Sequence, residues 1–95
     1  MPAYWVANVK ITNPEKYKEY AARAPAALEK YGGKFVARGG RNVVLEGDKG
    51  KNRIVVLRFD SVERALECYN SPEYQAAMAH RAGAAEVQLA IVEAL

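Results

Sequence analysis

Arg38, His80 and Cys68 are the side chains of this 95-residue sequence that first suggest chemistry. Arg38 closes a short stretch of strand-forming residues and is followed by Gly39-Gly40. A guanidinium placed there can hold a carboxylate or phenolate through two parallel hydrogen bonds. The glycines let a ligand or a second backbone approach closely. An intersubunit salt bridge is the competing role for Arg38. His80 is the single histidine, the one side-chain type that titrates near neutrality unperturbed. As a general base or haem ligand it would have to face a cleft with an orienting partner. The other reading is a helix-end histidine favoured by the helix dipole. Cys68, the single cysteine, lies between Leu66 and Tyr69 with no base nearby in sequence, as a packed, inert thiol would.

Several chemistries are disfavoured at once. One cysteine cannot form an intrachain disulfide or a cysteine cluster. One histidine without a constellation of carboxylates is a poor metal site. Gly32-Gly33 and Gly39-Gly40 lack the spacing and the following helix of a phosphate-binding loop. Neither a metal nor a cofactor is expected.

These residues must be positioned by a small set of elements. Residues 3 to 11 alternate and favour a strand. Asn13-Pro14-Glu15 then opens a helix: Asn13 suits the N-cap, Pro14 the first turn, and Glu15 the dipole. Tyr17, Tyr20, Ala21, Ala24, Leu28 and Tyr31 form its apolar stripe, and Gly32-Gly33 ends it. Pro25 is expected to kink or break this helix. A second strand spans Lys34 to Arg38, is interrupted at Gly39-Gly40, and resumes in extended form from Val43 to Glu46. Residues 47 to 52 read as a polar turn, and Arg53 to Phe59 as a third strand that completes a hairpin. Asp60 with Glu63 resembles a capping box for a second helix. Ser71-Pro72 starts a further helix to about Arg81, and Val87 to Glu93 form the last strand. The order β-α-β-β-α-β is that of a ferredoxin-like α+β domain, with a four-stranded antiparallel sheet and helices on one face. Ninety-five residues make one such domain.

Strand residues sort by parity, because successive side chains point to opposite faces. Trp5, Ala7, Val9 and Ile11, with Phe35 and Ala37, Val55, Leu57 and Phe59, and Val87, Leu89 and Ile91, are wholly apolar and belong under the helices. The opposite set mixes aliphatic side chains with Tyr4, Asn8, Arg38, Arg58 and Gln88. An exposed sheet face is normally polar, and this apolar content is unusual for a bare surface. A second copy packed face to face by a two-fold axis would cover it. The polar members would then need partners, water or a ligand. Asn8, Arg38 and Arg58, with Tyr4 and Gln88 nearby, make one candidate pocket. Alternatively these groups pair with one another, or Arg58 reaches the solvated rim.

Composition limits the partners. The sequence is 51% hydrophobic and 26% charged with a formal charge of +3, as in ordinary globular proteins. The densest positive stretch, Lys49 to Arg53, falls at the expected turn rather than along one face, so no nucleic-acid footprint is read. The third strand offers Ile54, Val56 and Arg58 on the open face, without the aromatics that stack RNA bases. No apolar run reaches the ~20 residues of a membrane helix. The N-terminus reads directly as a strand, with no leader pattern. A cytoplasmic location is expected.

Tyr4-Trp5, Asn13-Pro14-Glu15, Tyr31-Gly32-Gly33, Arg38-Gly39-Gly40, Leu45-Glu46-Gly47 and Asn70-Ser71-Pro72-Glu73-Tyr74-Gln75 recur in an order that resembles domain-of-unknown-function family 1330. This family is a branch of the dimeric α+β-barrel superfamily, and the resemblance spans nearly the whole chain. It implies a ferredoxin-like homodimer whose sheets form a barrel, and it implies no established reaction. Monooxygenases and haem-degrading relatives of that superfamily place chemistry between sheet and helices. By that resemblance Asn8, Tyr69 and His80 fall near the positions of their Asn, Trp and His.

Three function classes follow. The first is a domain that binds a small acidic or aromatic molecule in the cleft between sheet and helices, extending to a cofactor-independent enzyme. Its residues would be Asn8, Arg38, Arg58, Tyr69 and His80, with His80 the weak catalytic candidate, and haem degradation or monooxygenation is its variant. The second is a non-catalytic dimerisation or regulatory module. The third, RNA binding, lacks the required aromatics.

Overall fold

The computed structural model describes residues 1–47 and 52–95. The elements run β1 (Ala3–Ile11), α1 (Pro14–Lys30), β2 (Lys34–Arg38), β3 (Arg53–Phe59), α2 (Val62–Tyr69), α3 (Pro72–Ala79) and β4 (Ala85–Glu93). The four strands form one sheet in the order β2-β3-β1-β4, with every neighbouring pair antiparallel. This is the expected ferredoxin-like α+β architecture, its second helical segment divided in two at Ser71-Pro72. Of the turn expected over 47–52, and of the positive stretch from Lys49 to Arg53, residues 48–51 lie outside the described residues. Among the described residues no helix is long and apolar enough to cross a membrane.

β1 alternates as anticipated. Ala3, Trp5, Ala7 and Val9 are buried, while Tyr4, Val6 and Asn8 on the other face are half-buried. Trp5, Leu57, Phe59, Tyr74 and Cys68 are the largest fully buried side chains and form the main core with Leu28, Ala65 and Ala77. Trp5 packs edge-on against Tyr74, with ring centroids 5.1 Å apart. This is a favourable quadrupole arrangement.

Local chemistry fixes the helix ends. Asn13 Oδ1 accepts from the Lys16 N–H at 3.2 Å, and Ser71 Oγ accepts from the Tyr74 N–H at 3.1 Å. At α2 the cap is Ser61, whose Oγ accepts from the Arg64 N–H at 3.0 Å, and not Asp60 as the capping-box pattern suggested. A start one residue later puts Ala65 and Cys68 into the core. Nor does Pro25 break α1, which runs unbroken through it. Only the bond from residue 25 to the Ala21 carbonyl is missing, and Tyr17, Ala24, Ala27 and Leu28 bury both halves.

Two further corrections concern β2. The ladder steps from Phe35↔Leu57 to Ala37↔Val56 and Arg38↔Val55, so the strand bulges at Val36. A bulge inserts one residue and inverts the facing of all that follow. Ala37 therefore joins Val56 on the open face, and Arg38 joins Val55 under the helices. Beyond Arg38 the Gly39 N–H donates to the Ile54 carbonyl at 2.9 Å, and Gly39 turns at φ +66°. Residues 43–46, expected to resume the strand, are irregular.

Candidate functional site

The cleft lies between α1 and the helix-side face of the sheet. Tyr17, Tyr20, Ala24 and Leu28 of α1 form its roof at helical spacing, and Trp5, Ala7, Val55, Leu57 and Leu89 its floor. The small side chains of Ala7, Ala21 and Ala24 leave space between roof and floor unfilled. The free volume is about 50 Å³. That is room for one or two water molecules at about 30 Å³ each, well below the roughly 300–1,000 Å³ of pockets for drug-sized ligands. A ligand the size of an aromatic ring exceeds this volume, so binding one requires the cleft to widen or the ligand to project from its mouth. Pro25 lines the roof beside Ala21, whose carbonyl it leaves without its helical donor.

Three arginines, Arg38, Arg53 and Arg81, line this space, and among the described residues no Asp or Glu does. The Arg38 guanidinium stacks on the Phe35 ring at 4.4 Å from its centroid, which places both side chains on the cleft side of β2. Arg53 begins β3 on the same face as Val55 and lies beside Tyr17. Its guanidinium passes directly over Gly39, where any Cβ would overlap it. Arg81 follows α3, donates to the Tyr74 hydroxyl at 2.8 Å and lies 4.9 Å over the Tyr20 ring.

The phenols form a connected group. Tyr20 and Tyr74 hydroxyls are 2.7 Å apart, and the Tyr17 and Tyr20 rings are 5.4 Å centre to centre. Burial pushes the Tyr17 hydroxyl above its ordinary range, and Tyr20 adds to this while Arg53 and Arg81 oppose it. Tyr74 is pushed up further, by burial first and then by Tyr20. Burial works against the charge on Arg81, but Tyr74 and Tyr20 outweigh it and raise its pKa. The cleft is thus cationic and aromatic at neutral pH, suited to the oxygen of an anion or a carbonyl.

The residues singled out in the sequence do not all meet here. Arg38 reaches the cleft because of the bulge. Asn8 and Arg58 lie on the opposite face of the sheet, Asn8 between Ile54 and Gln88 and Arg58 beside Tyr4 and Lys34. The pocket expected from Asn8, Arg38 and Arg58 is therefore divided by the sheet. Tyr69 packs behind Trp5 and Tyr74, at 6.0 and 5.7 Å between ring centroids, and lines an adjoining groove with Leu66 and Ile91 that shares Arg81, Val87 and Leu89 with the cleft. His80 caps α3 through its backbone N–H, near Glu19 of α1, and is not among the cleft residues. Cys68 is buried, its thiol directed at the Ala27 carbonyl 3.8 Å away, and burial pushes it up to about 11. Arg53 and Arg81 were missed. Arg53 was legible from its parity with Val55, but Arg81 lies in a turn that no periodicity orients.

Residues 2–95 match a protein family described as a domain of unknown function, DUF1330. No curated protein matches the chain. Among solved structures, a protein of unknown function from Rhodopseudomonas palustris superposes with a TM-score of 0.78 at 23% identity, covering 99% of this chain and 82% of that one. SnoaB, a cofactor-independent oxygenase from Streptomyces nogalater, gives 0.71 at 14% identity, covering 99% and 93%. A dimeric protein of unknown function with a ferredoxin-like fold, from Bacteroides fragilis, gives 0.64 at 17%, covering 98% and 96%. At these identities the likeness is one of fold.

Proposed function

Because the chain belongs to the DUF1330 family, whose description names no reaction, we infer the function from the cleft itself. We propose that this protein binds a small aromatic carboxylate or phenolate in the cleft between α1 and the sheet. The observation that carries this is the lining: Arg38, Arg53 and Arg81 among aromatic and aliphatic walls, with no carboxylate among the described residues. The half-buried guanidiniums of Arg53 and Arg81 hold an oxyanion more firmly than in water, exposed Arg38 stands at the edge of the cleft, and the rings accept an aromatic body. SnoaB, a cofactor-independent oxygenase, has the same fold and gives a precedent for small-molecule chemistry without a cofactor.

The functional unit we propose is a homodimer joined through the open sheet faces. Tyr4, Val6, Ile54 and Val56 are half-buried on that face, and Val36 and Val92 are 60% and 54% exposed. Taking a large apolar side chain from full exposure to full burial gains roughly 1.5–3 kcal/mol, and these partly covered ones gain a fraction of that each. The related fold from Bacteroides fragilis is described as dimeric.

Trp5, the single tryptophan, lines the cleft and reports on its contents. Benzoate is expected to change its fluorescence saturably in the wild-type protein. Arg38→Ala should weaken this several-fold, and benzylamine should have no effect. Equal responses to benzoate and benzylamine, or none to benzoate and its hydroxylated analogues, would overturn the reading.

A further inference from the structure

The three-membered contact of Arg81, Tyr74 and Tyr20 has a direction. Tyr74 is fully buried, so its hydroxyl proton needs a protein acceptor. Its oxygen already accepts from Arg81, which is a donor only. Among the described residues the one other polar atom in hydrogen-bond reach is the Tyr20 oxygen at 2.7 Å. Tyr74 therefore donates to Tyr20. Tyr20, having accepted, must point its own proton away from Tyr74, on a half-buried side chain that lines the cleft.

We infer that Tyr20 is a specificity-determining residue that donates a hydrogen bond to an oxygen of the ligand, and that Tyr74 and Arg81 act through it as positioning residues. Arg81 donates to Tyr74 and also lies against the Tyr20 ring, so its charge polarises both hydroxyls and strengthens Tyr20 as a donor. The ligand is narrowed to molecules with an acceptor oxygen next to the ring: an aryl ketone, an enolate, a phenolate or a carboxylate. The inference rests on the cleft being the binding site, but Tyr20 needs no net charge on its ligand, so neutral probes separate it from the arginines.

Acetophenone and ethylbenzene have nearly the same shape and differ in the carbonyl oxygen. Titrated against Trp5 fluorescence, the wild-type protein should prefer acetophenone. Tyr20→Phe should lose roughly three- to tenfold in acetophenone affinity, the factor a single neutral hydrogen bond supplies, with ethylbenzene unchanged. Tyr74→Phe should reduce the same preference, which a merely structural loss would not do, since that would weaken both probes together. A preference retained in Tyr20→Phe overturns the inference and leaves the cleft as binding site intact. Failure of both probes and of benzoate in the wild type overturns the binding reading and this inference with it. A readout without ligand fixes the donor direction. With tyrosine labelled at ¹³Cζ, in mixed H₂O and D₂O, the slowly exchanging hydroxyl should split the Tyr74 signal. Splitting at Tyr20 instead reverses the direction and overturns the inference.

Discussion

The Arg53 guanidinium lies directly over the backbone of Gly39, which turns at φ +66° immediately after Arg38. Two cleft arginines thus depend on one glycine: Arg38 stands just before the turn, and Arg53 occupies the space a Cβ would fill. Gly39→Ala combines a left-handed backbone, costing roughly 1–2 kcal/mol, with displacement of Arg53. Thermal unfolding should fall by about 4–8 °C per kcal/mol in a domain of this size, and benzoate binding should weaken. Gly40→Ala, with nothing within 4 Å of its Cβ among the described residues and no positive φ, should behave as wild type in both measurements. Matching behaviour of the two variants would remove Arg53 from the site.

Glu73 gives the acid limb of stability a definite sign. Hydrogen bonding to Lys30 at 2.8 Å, with a further bond from Tyr31 at 3.0 Å, holds its carboxyl down to about 2 from the usual 4.5. Its folded pKa lies below its unfolded one, so the stabilisation is fully present above about pH 4.5 and is lost as the pH falls toward 2. The pair is exposed, so the effect is small and screened by salt. Urea midpoints measured from pH 6 to 2 should fall less steeply in Glu73→Gln than in wild type. Equal slopes would show that the ion pair adds nothing.

How far the sequence reached depends on what each residue's position was governed by. Strand facing in β1, β3 and β4 was legible because a period of two needs only the residue types. Arg38 was legible as a functional candidate but not on its correct face, because the bulge at Val36 is decided by pairing with β3 and by the Gly39 turn, both non-local. His80 and Tyr69 stood out by type alone. Type does not say which way a helix end points, and neither residue lines the cleft. The Tyr20–Tyr74 contact joins residues 54 apart in the chain, a relationship no local pattern contains.

Cys68 should be chemically silent in the native protein. It is fully buried, and its thiol is pushed up to about 11 by that burial. At pH 8 about one thiol in a thousand is then ionised, and the thiolate is the reactive form. Ellman's reagent should leave the folded protein unmodified over minutes and react within seconds once the chain is unfolded in guanidinium. Rapid modification of the native protein would mean that α2 opens readily, since Cys68 lies on its buried face.

Val6 and Val56 stand opposite each other in the β1–β3 ladder, at the middle of the open face. If a second copy covers this face, both become fully buried on assembly, and a carboxylate there would be cut off from water, with Arg58 two residues along the same face. Val56→Glu places such a charge where association must dehydrate it. Removing a charge from water costs several kcal/mol per ion even when an opposite charge is near, more than a small interface tolerates. Light scattering should therefore give a dimer for wild type and a monomer for Val56→Glu. Circular dichroism should show the sheet retained in the variant, because the substituted side chain faces away from the helices. Arg58→Glu changes an exposed residue beside Tyr4 and Lys34 and should weaken the dimer less. If Val56→Glu stays dimeric, the copies meet elsewhere, and the apolar content of this face has another cause.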